Sequence, residues 1–459
     1  MTSTKTNMLD MTQGPVLGPL LKFSLPIMLT GILQLLFNAA DIIVVGQFVN
    51  EKAVAAVGAC SSLIQLTINL FIGLSLGATV TIANDLGARR HEELPPAVHT
   101  TYALGILFGL LVGAVGMVYA KTFLRWMDTP DDILDQAALY LRIYFVGMPA
   151  FMIYTFGRAI IVPTGDTKKP LYYLTISGVL NVFLNVFLVV VFRLGVAGVA
   201  IATAISQVLS AVLMTAALLR LEGPCRLTAS KIGFNGRQLR RIVALGLTAG
   251  LQGTVFSISN VVIQSSVNIL GTLFVAGNSA AANLSNFVYT SMNAISQGCM
   301  TFGGQNYGAD QHARLDRIYK AGLFSVTLIG LVLGFGAWLA GVPLLRIYLP
   351  TSAQAVDYGM VRMSIEMTTI ALCGLMDCST GMLRGINRSV YPMAATVVGS
   401  CVLRVVWAFT VFRRALTGGK ATTAYLVLLA SYPISWALTF AALLVYYIAV
   451  RKKMDRQPA

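Results

Sequence analysis

Charged residues are scarce in this sequence: they make up 11% of its 459 residues, whereas 56% are hydrophobic. Soluble globular domains carry about 25% charged residues, so a soluble enzyme with an ordinary polar surface is excluded. Disorder is excluded by the same composition, because disordered segments are poor in hydrophobic residues. The composition therefore indicates a chain that lies in a lipid bilayer over most of its length.

Residues that bind metals or perform catalysis are also few. The chain has three His and six Cys, without a CxxC pair or a Cys/His cluster of metal-binding spacing. An HExxH motif is absent, and a GxxxxGK[ST] phosphate-binding loop is absent as well. We therefore expect no cofactor, no direct use of ATP and no enzymatic activity.

Long apolar runs are what the sequence does contain. Residues 1–20 lack the short apolar core and small-residue cleavage site of a signal peptide, so we expect the first apolar run to be retained. A membrane-spanning helix needs about 20 apolar residues, and continuous runs of this length favour an all-α protein over a β-barrel. The sequence predicts twelve spans, at roughly 21–49, 53–80, 96–120, 133–160, 171–192, 195–221, 242–270, 274–300, 319–344, 354–382, 393–412 and 422–450.

The basic residues predict the orientation of these spans. With both termini inside, 21 of the 33 Lys and Arg residues fall in cytoplasmic segments and 8 fall outside. This bias follows the positive-inside rule and predicts a multi-pass protein of the inner cell membrane with cytoplasmic termini. The net charge of +15 is then explained by the loops, and nucleic acid is not an expected partner.

The two halves of the chain resemble each other at a nearly constant offset in sequence. DLGARR at 85–90 matches GGQNYGA at 303–309, and GDTKKP at 165–170 matches NRSVYP at 387–392. Because six spans per half is an even number, the two six-helix lobes have the same orientation, and a pseudo-two-fold axis along the membrane normal is predicted. The predicted divisions are an N-lobe at 1–221, a cytoplasmic linker loop at 222–241 and a C-lobe at 242–459.

Several motifs resemble those of multidrug and toxic compound extrusion (MATE) transporters. In the first helix these are Pro26, Asp41 and Gly46, and later ones include VAAVG at 54–58 and LNVFLN at 180–185. The resemblance implies an antiporter that exports amphipathic, often cationic organic compounds in exchange for inward H⁺ or Na⁺. It also implies small-molecule substrates and the bilayer as partners, and we expect a monomer. Many family members have an Asp where this chain has Asn185, so a site of two carboxylates is not expected here.

Polar residues deep in the apolar spans mark candidate sites, because an ionisable group at this depth is costly. Asp41 is the first of them, and helical spacing places Gln34 on its face. Asn181 and Asn185 share a face of span five, and Thr203 follows in span six. Asp41, Asn181, Asn185 and Thr203 offer the oxygen ligands that Na⁺ prefers, whereas proton coupling would protonate Asp41. The resemblance implies coupling at Asp41; a purely structural clamp between helices is the alternative.

A second candidate site lies in span ten, where Glu366 and Asp377 fall on one stripe. Arg404, deep in span eleven, either forms a buried ion pair with one of these carboxylates or joins them in a substrate or coupling site. Pro26 is a candidate hinge in span one. The functional alternative is a flippase for a lipid-linked oligosaccharide or peptidoglycan precursor, which the intramembrane arginines leave open; these are Arg142, Arg158, Arg362 and Arg404.

Overall fold

The computed structural model describes residues 11–350 and 352–456, and within these ranges the chain is helical without a β-strand. The first half contains α1 (Leu17–Phe48), α2 (Glu51–Gly87), α3 (Leu94–Trp126), α4 (Asp131–Ile161), α5 (Lys168–Val186) and α6 (Gly195–Leu219). The second half contains α7 (Gly236–Asn268), α8 (Thr272–Gly308), α9 (His312–Leu339), α10 (Gly341–Tyr348), α11 (Ala353–Gly385), α12 (Val390–Thr396), α13 (Leu403–Trp407), α14 (Arg413–Gly418) and α15 (Ala421–Asp455). The connections include 3₁₀ turns at Val162–Thr164 and Ala229–Lys231 and π-helical stretches at Phe187–Val191, Val397–Val402 and Ala408–Phe412.

These helices confirm the prediction of an all-helical membrane protein. Within the described residues, eleven helices are long and apolar enough to cross a bilayer, with α12–α14 and their π-helical stretches forming one of them. The remaining predicted span, the eighth at 274–300, corresponds to α8, which has 37 residues and is therefore long enough. It carries several amide side chains, such as Asn278 and Asn293, which lower its hydropathy.

Two predicted boundaries are wrong by several residues. The predicted linker loop ended at residue 241, but α7 begins at Gly236. The side chain of Asn235 accepts hydrogen bonds from the backbone N–H groups of Arg237 and Gln238, both at 3.1 Å, and so caps the helix before its apolar part starts. The predicted ninth span ran to residue 344, but α9 ends at Leu339 and α10 follows as a separate short helix.

Helix α4 is the central element of the first compact unit, residues 29–250. It packs against α2, α3 and α6 and carries the largest set of buried residues in this unit. Glycines of α3 allow the close approach: a Cβ on Gly109 would lie 2.6 Å from the Cα of Pro149 in α4. Small residues at a helix interface let two backbones approach in this way.

Helix α11 has the corresponding position in the second unit, which comprises residues 11–28 and 251–456 of the described chain. It packs against α8, α9 and α15. Gly330 and Gly334 in α9 pack onto α11 at Ala371 and Met367. These two glycines correspond in the repeat to Gly109 and Gly113 of α3, which pack against α4 in the first half. The internal repeat therefore extends to the helix packing.

The repeat also extends to the backbone of the turns that end α2 and α8. Arg89 and Asp310 occupy corresponding positions in the two turns, and both have φ of 53°. In both turns the next residue donates a backbone hydrogen bond to a carbonyl five residues earlier, Arg90 to Asp85 at 3.0 Å and Gln311 to Asn306 at 2.9 Å. This is the pattern of a helix that ends with a left-handed residue.

The two units do not coincide with the predicted lobes 1–221 and 242–459. Residues 11–28, the start of α1, belong with the second unit, and the start of α7 up to Gly250 belongs with the first. The reason is local packing: Phe23 contacts Phe302 at 5.5 Å between ring centroids, and Gly246 packs against Leu74. Each unit therefore contains the first turns of a helix whose remainder lies in the other unit.

Candidate functional site

A polar cluster forms where α1, α5 and α6 of the first unit meet. Asn185 donates a hydrogen bond of 2.5 Å from Nδ2 to Oδ1 of Asp41 and one of 3.2 Å to Oδ1 of Asn181. Asn181 donates to Thr203 Oγ1 at 3.3 Å, and Thr203 lies 3.4 Å from Asp41 Oδ2. The structure thus brings together four of the five predicted residues.

The helices position these side chains through their periodicity. Asn181 and Asn185 are one turn apart in α5, so both face α6 and the end of α1. The backbone changes to a π-helix at Phe187, directly after this pair. Single π-helical turns within α-helices are frequent at functional sites.

The charge of this cluster has no basic counterpart. Within the described residues, Asp41 has no Lys, Arg or His nitrogen within 4.0 Å of its carboxylate, and its hydrogen bonds come from neutral groups. Oδ1 of Asn185 is buried and accepts no hydrogen bond from the part of the chain that the structure describes. A carboxylate with a spare amide oxygen beside it is suited to bind a proton or a hard cation such as Na⁺.

Gln34 is not part of this hydrogen-bonded cluster. It lies half-buried in α1 and makes no hydrogen bond within the described chain. Two residues that the sequence analysis missed are Tyr140 and Tyr144 of α4, which are buried near Asp41. Because they are four residues apart, the two tyrosines share a face of α4, and this spacing could have been recognised in the sequence.

The second predicted site is divided in the structure. Glu366 does not pair with Arg404; its Oε2 accepts a hydrogen bond of 2.5 Å from Nε of Arg362, one turn earlier in α11. Arg362 also donates to Oδ1 of Asn278 at 2.7 Å. The alternative of an ion pair between Glu366 and Arg404 is therefore wrong, because Glu366 pairs with Arg362, its i, i+4 neighbour in the same helix.

Arg404 lies on α13, between the two π-helical stretches of the eleventh span. Its Nε donates to Ser435 Oγ at 2.8 Å, and its guanidinium carbon is 4.3 Å from the centre of the Tyr432 ring. Asp377 is in a different environment: Asn293 donates to its Oδ2 at 3.3 Å. Asp377 has no basic nitrogen within 4.0 Å in the described residues, so the alternative of an ion pair between Asp377 and Arg404 is also wrong.

One catalytic motif does occur in the chain. Residues 73–77 read GLSLG and match the GxSxG pattern of serine hydrolases. In those enzymes the serine lies on a sharp turn between a strand and a helix. Here Ser75 lies inside α2, where its hydroxyl donates to the backbone oxygen of Ile72 at 2.7 Å. Ser75 therefore does not have the geometry of a catalytic nucleophile.

The predicted hinge, Pro26, lies inside α1, which continues without interruption from Leu17 to Phe48. The boundary between the two compact units crosses this helix between Met28 and Leu29, within one turn of the proline. Pro26 lacks the N–H that would bond to the preceding turn, so α1 lacks one backbone hydrogen bond at this point.

Relatives and solved structures agree with this architecture. The chain is 25% identical over 440 residues to the probable multidrug resistance protein YoeA of Bacillus subtilis, covering 94% of this chain and 93% of YoeA. It is 22% identical over 376 residues to the multidrug export protein MepA of Staphylococcus aureus, covering 81% and 82% of the two chains.

Two solved structures have the same fold. An outward-facing MATE transporter of the MOP superfamily superposes with a TM-score of 0.89 at 20% identity, over 99% of both chains. A MOP superfamily transporter from Pyrococcus furiosus superposes with a TM-score of 0.89 at 20% identity, over 98% of this chain and 100% of its own.

The MatE family model matches the chain twice, at residues 26–187 and 249–410. The two matches are of equal length and begin at corresponding places in the two halves, in agreement with the internal repeat. Together they cover more than half of the sequence, so this chain belongs to the MatE family of membrane transporters.

Proposed function

We propose that this protein is a secondary active antiporter that exports amphipathic, often cationic organic compounds in exchange for inward H⁺ or Na⁺. The observation that carries the proposal is the Asp41 carboxylate in the apolar span α1, which has only neutral hydrogen-bond donors. An unpaired charge in an apolar membrane span is costly, and binding a cation reduces that cost.

Each member of the cluster has a defined role in this proposal. Asp41 carries the charge that the coupling ion neutralises. Asn185 orients one carboxylate oxygen through its amide and presents its own free oxygen beside it. Asn181 and Thr203 complete the shell of oxygen ligands if the ion is Na⁺, or hold the carboxyl group in place if the ion is H⁺.

The relatives support the choice of substrate. YoeA and MepA are named for multidrug resistance and multidrug export. Carboxylates within the membrane favour cationic over anionic compounds. A flippase for lipid-linked precursors is not favoured by these relatives, and the pairing of Arg362 with Glu366 reduces the positive charge on which that alternative depends.

The proposed mechanism is alternating access. Ion binding at Asp41 must stabilise one conformation more than the other, because otherwise the ion gradient could not drive transport. We propose that α1 bends at Pro26 during this change, since the unit boundary crosses the helix there. We further propose a monomer in the inner cell membrane with cytoplasmic termini and no cofactor besides the coupling ion.

The test is efflux of a fluorescent organic cation from proteoliposomes under an imposed pH or Na⁺ gradient. We expect one gradient to drive efflux in the wild type and Asp41→Asn to abolish it. Asp132→Asn is the matched control, because Asp132 is exposed and pairs with Lys52 at the surface. A wild type that moves no cation under either gradient, or equal loss in both variants, would contradict the proposal.

A further inference from the structure

Arg404 is a buried cation whose charge the proposed antiport mechanism does not use. Only 2% of its surface is exposed. Nε is bonded to Ser435, whereas Nη2 is buried and has no hydrogen-bond partner within the described chain. Native proteins rarely leave a buried polar group without a partner, and such a group calls for an explanation.

The neighbouring charges do not compensate Arg404. Glu366 is engaged by Arg362 at 2.5 Å, and Arg362 is further held by Asn278 at 2.7 Å. The charges of Glu366 and Arg362 cancel, so Glu366, Arg362 and Arg404 together carry a net charge of +1. Asp377 forms no ion pair with Arg404 within 4.0 Å in the described residues, and Asn293 donates a hydrogen bond to its Oδ2.

Aromatic rings fix the orientation of the Arg404 guanidinium. Its central carbon lies 4.3 Å from the centre of the Tyr432 ring and 5.5 Å from the Trp436 ring. Cation–π contacts contribute stabilisation but leave the N–H edge of the guanidinium without an acceptor. A guanidinium that lies over aromatic rings and is bonded at Nε holds its outer nitrogens in a fixed position, and their fork geometry matches a carboxylate.

The backbone around Arg404 is also unusual. Val397–Val402 and Ala408–Phe412 are π-helical and flank the single α-helical turn that carries the arginine. In the first unit, a π-helical stretch follows Asn185 of the Asp41 cluster. Asn181 and Arg404 lie in corresponding spans of the two units, the spans that begin at the repeated Pro170 and Pro392. Each side chain donates a hydrogen bond to the next span, Asn181 to Thr203 and Arg404 to Ser435.

We propose that Arg404, with Tyr432 and Trp436, forms a subsite in the second unit that binds the carboxylate of an amphipathic aromatic substrate. Because the surrounding span is apolar, the occupant must carry an apolar body besides its acidic group. The transported compounds would then include organic acids and zwitterions as well as cations. This inference rests on the proposed transport function, because the bound compound is a substrate only if the protein transports it.

Binding without any gradient tests the subsite independently of transport. The probes are naphthoate and naphthylmethylammonium, which share a ring system and carry opposite charges. Equilibrium dialysis against the full-length protein in phosphatidylcholine nanodiscs measures both affinities. We expect the wild type to bind naphthoate, and Arg404→Gln to weaken this binding about ten-fold or more, as expected for loss of a charged hydrogen bond. Naphthylmethylammonium binding would remain unchanged by the substitution.

Arg414→Gln is the matched control, because it removes the same charge from an exposed residue of α14. Arg404→Lys retains the charge but not the fork, and we expect intermediate naphthoate binding. This variant also provides a test if Arg404→Gln does not fold. Equal binding of naphthoate by the wild type, Arg404→Gln and Arg404→Lys would overturn the proposal, and so would a wild type that does not bind naphthoate.

Two competitors test other anions at the same place. If millimolar chloride, or phosphatidylglycerol added to the nanodisc, displaces naphthoate completely, the occupant is a halide or a lipid phosphate and the organic-acid subsite is wrong. If neither displaces it, the proposal is supported. Cation efflux under a gradient is measured separately, so failure of the antiporter proposal and failure of this subsite give different results.

Discussion

Neutralising Glu366 tests how the second unit accommodates two arginines inside the membrane. In Glu366→Gln the shape of the side chain is retained, but Arg362 loses the carboxylate that accepts its Nε at 2.5 Å. The side chains of Arg362 and Glu366 are only 8% and 9% exposed. Breaking a buried pair by removing one partner costs about 3–5 kcal/mol, because an uncompensated charge remains.

This cost predicts a large change in thermal stability. A destabilisation of about 3–5 kcal/mol lowers the Tm of a domain of this size by roughly 6–20 °C, at about 2–4 °C per kcal/mol. The double variant Arg362→Met/Glu366→Met removes both charges and should recover most of the loss, since apolar replacement of a buried pair is often neutral.

The assay is thermal unfolding in detergent, followed with a dye that becomes fluorescent on reaction with thiols. All six cysteines are free and buried, so the dye reacts only as the chain unfolds. Asp132→Asn is the control, because its pair with Lys52 is exposed and contributes about 0–1 kcal/mol. A Tm of Glu366→Gln equal to that of the control, or a double variant less stable than Glu366→Gln, would refute this reasoning.

Three further substitutions test the packing and the Asp41 cluster. Asp85→Asn deprives Arg241, at 2.7 Å, of its charge partner, and because the Arg241 side chain is 27% exposed we expect about 1–3 kcal/mol of destabilisation in the same thermal assay. Gly109→Ala should destabilise by about 1–3 kcal/mol, since its Cβ would meet Pro149, whereas Gly58→Ala in α2, with nothing within 4 Å, should not destabilise. Asn185→Leu should reduce gradient-driven efflux at least ten-fold, while Gln34→Leu, which removes no hydrogen bond of the cluster, should retain most of it; equal effects would contradict the assigned roles.

Much of the fold could be predicted from the sequence, because bilayer-spanning helices are recognised by length and apolar composition alone. The Asp41 cluster could also be predicted: Asn181 and Asn185 share a face by their spacing, and the MATE resemblance linked them to Asp41. The start of α7 was missed because Arg237 and Arg241 interrupt the apolar pattern, although Asn235 is an ordinary helix cap.

The remaining differences depend on contacts that periodicity does not encode. Arg362 is four residues before Glu366, so the pattern permitted their pairing, but only the structure distinguishes it from pairing with Arg404. Similarly, Met11 donates its backbone N–H to Gln305 at 3.3 Å, and this contact between residues 294 positions apart joins the segment before α1 to the second unit.

The central claim is that Asp41 holds the coupling cation, and substrate-induced ion release tests it most directly. Purified protein in weakly buffered detergent solution is mixed with an organic cation, while a pH-sensitive dye records released protons and radioactive sodium records released Na⁺. The account predicts that the wild type releases one of these ions on substrate binding and that Asp41→Asn releases neither. Undiminished release from Asp41→Asn would contradict the account.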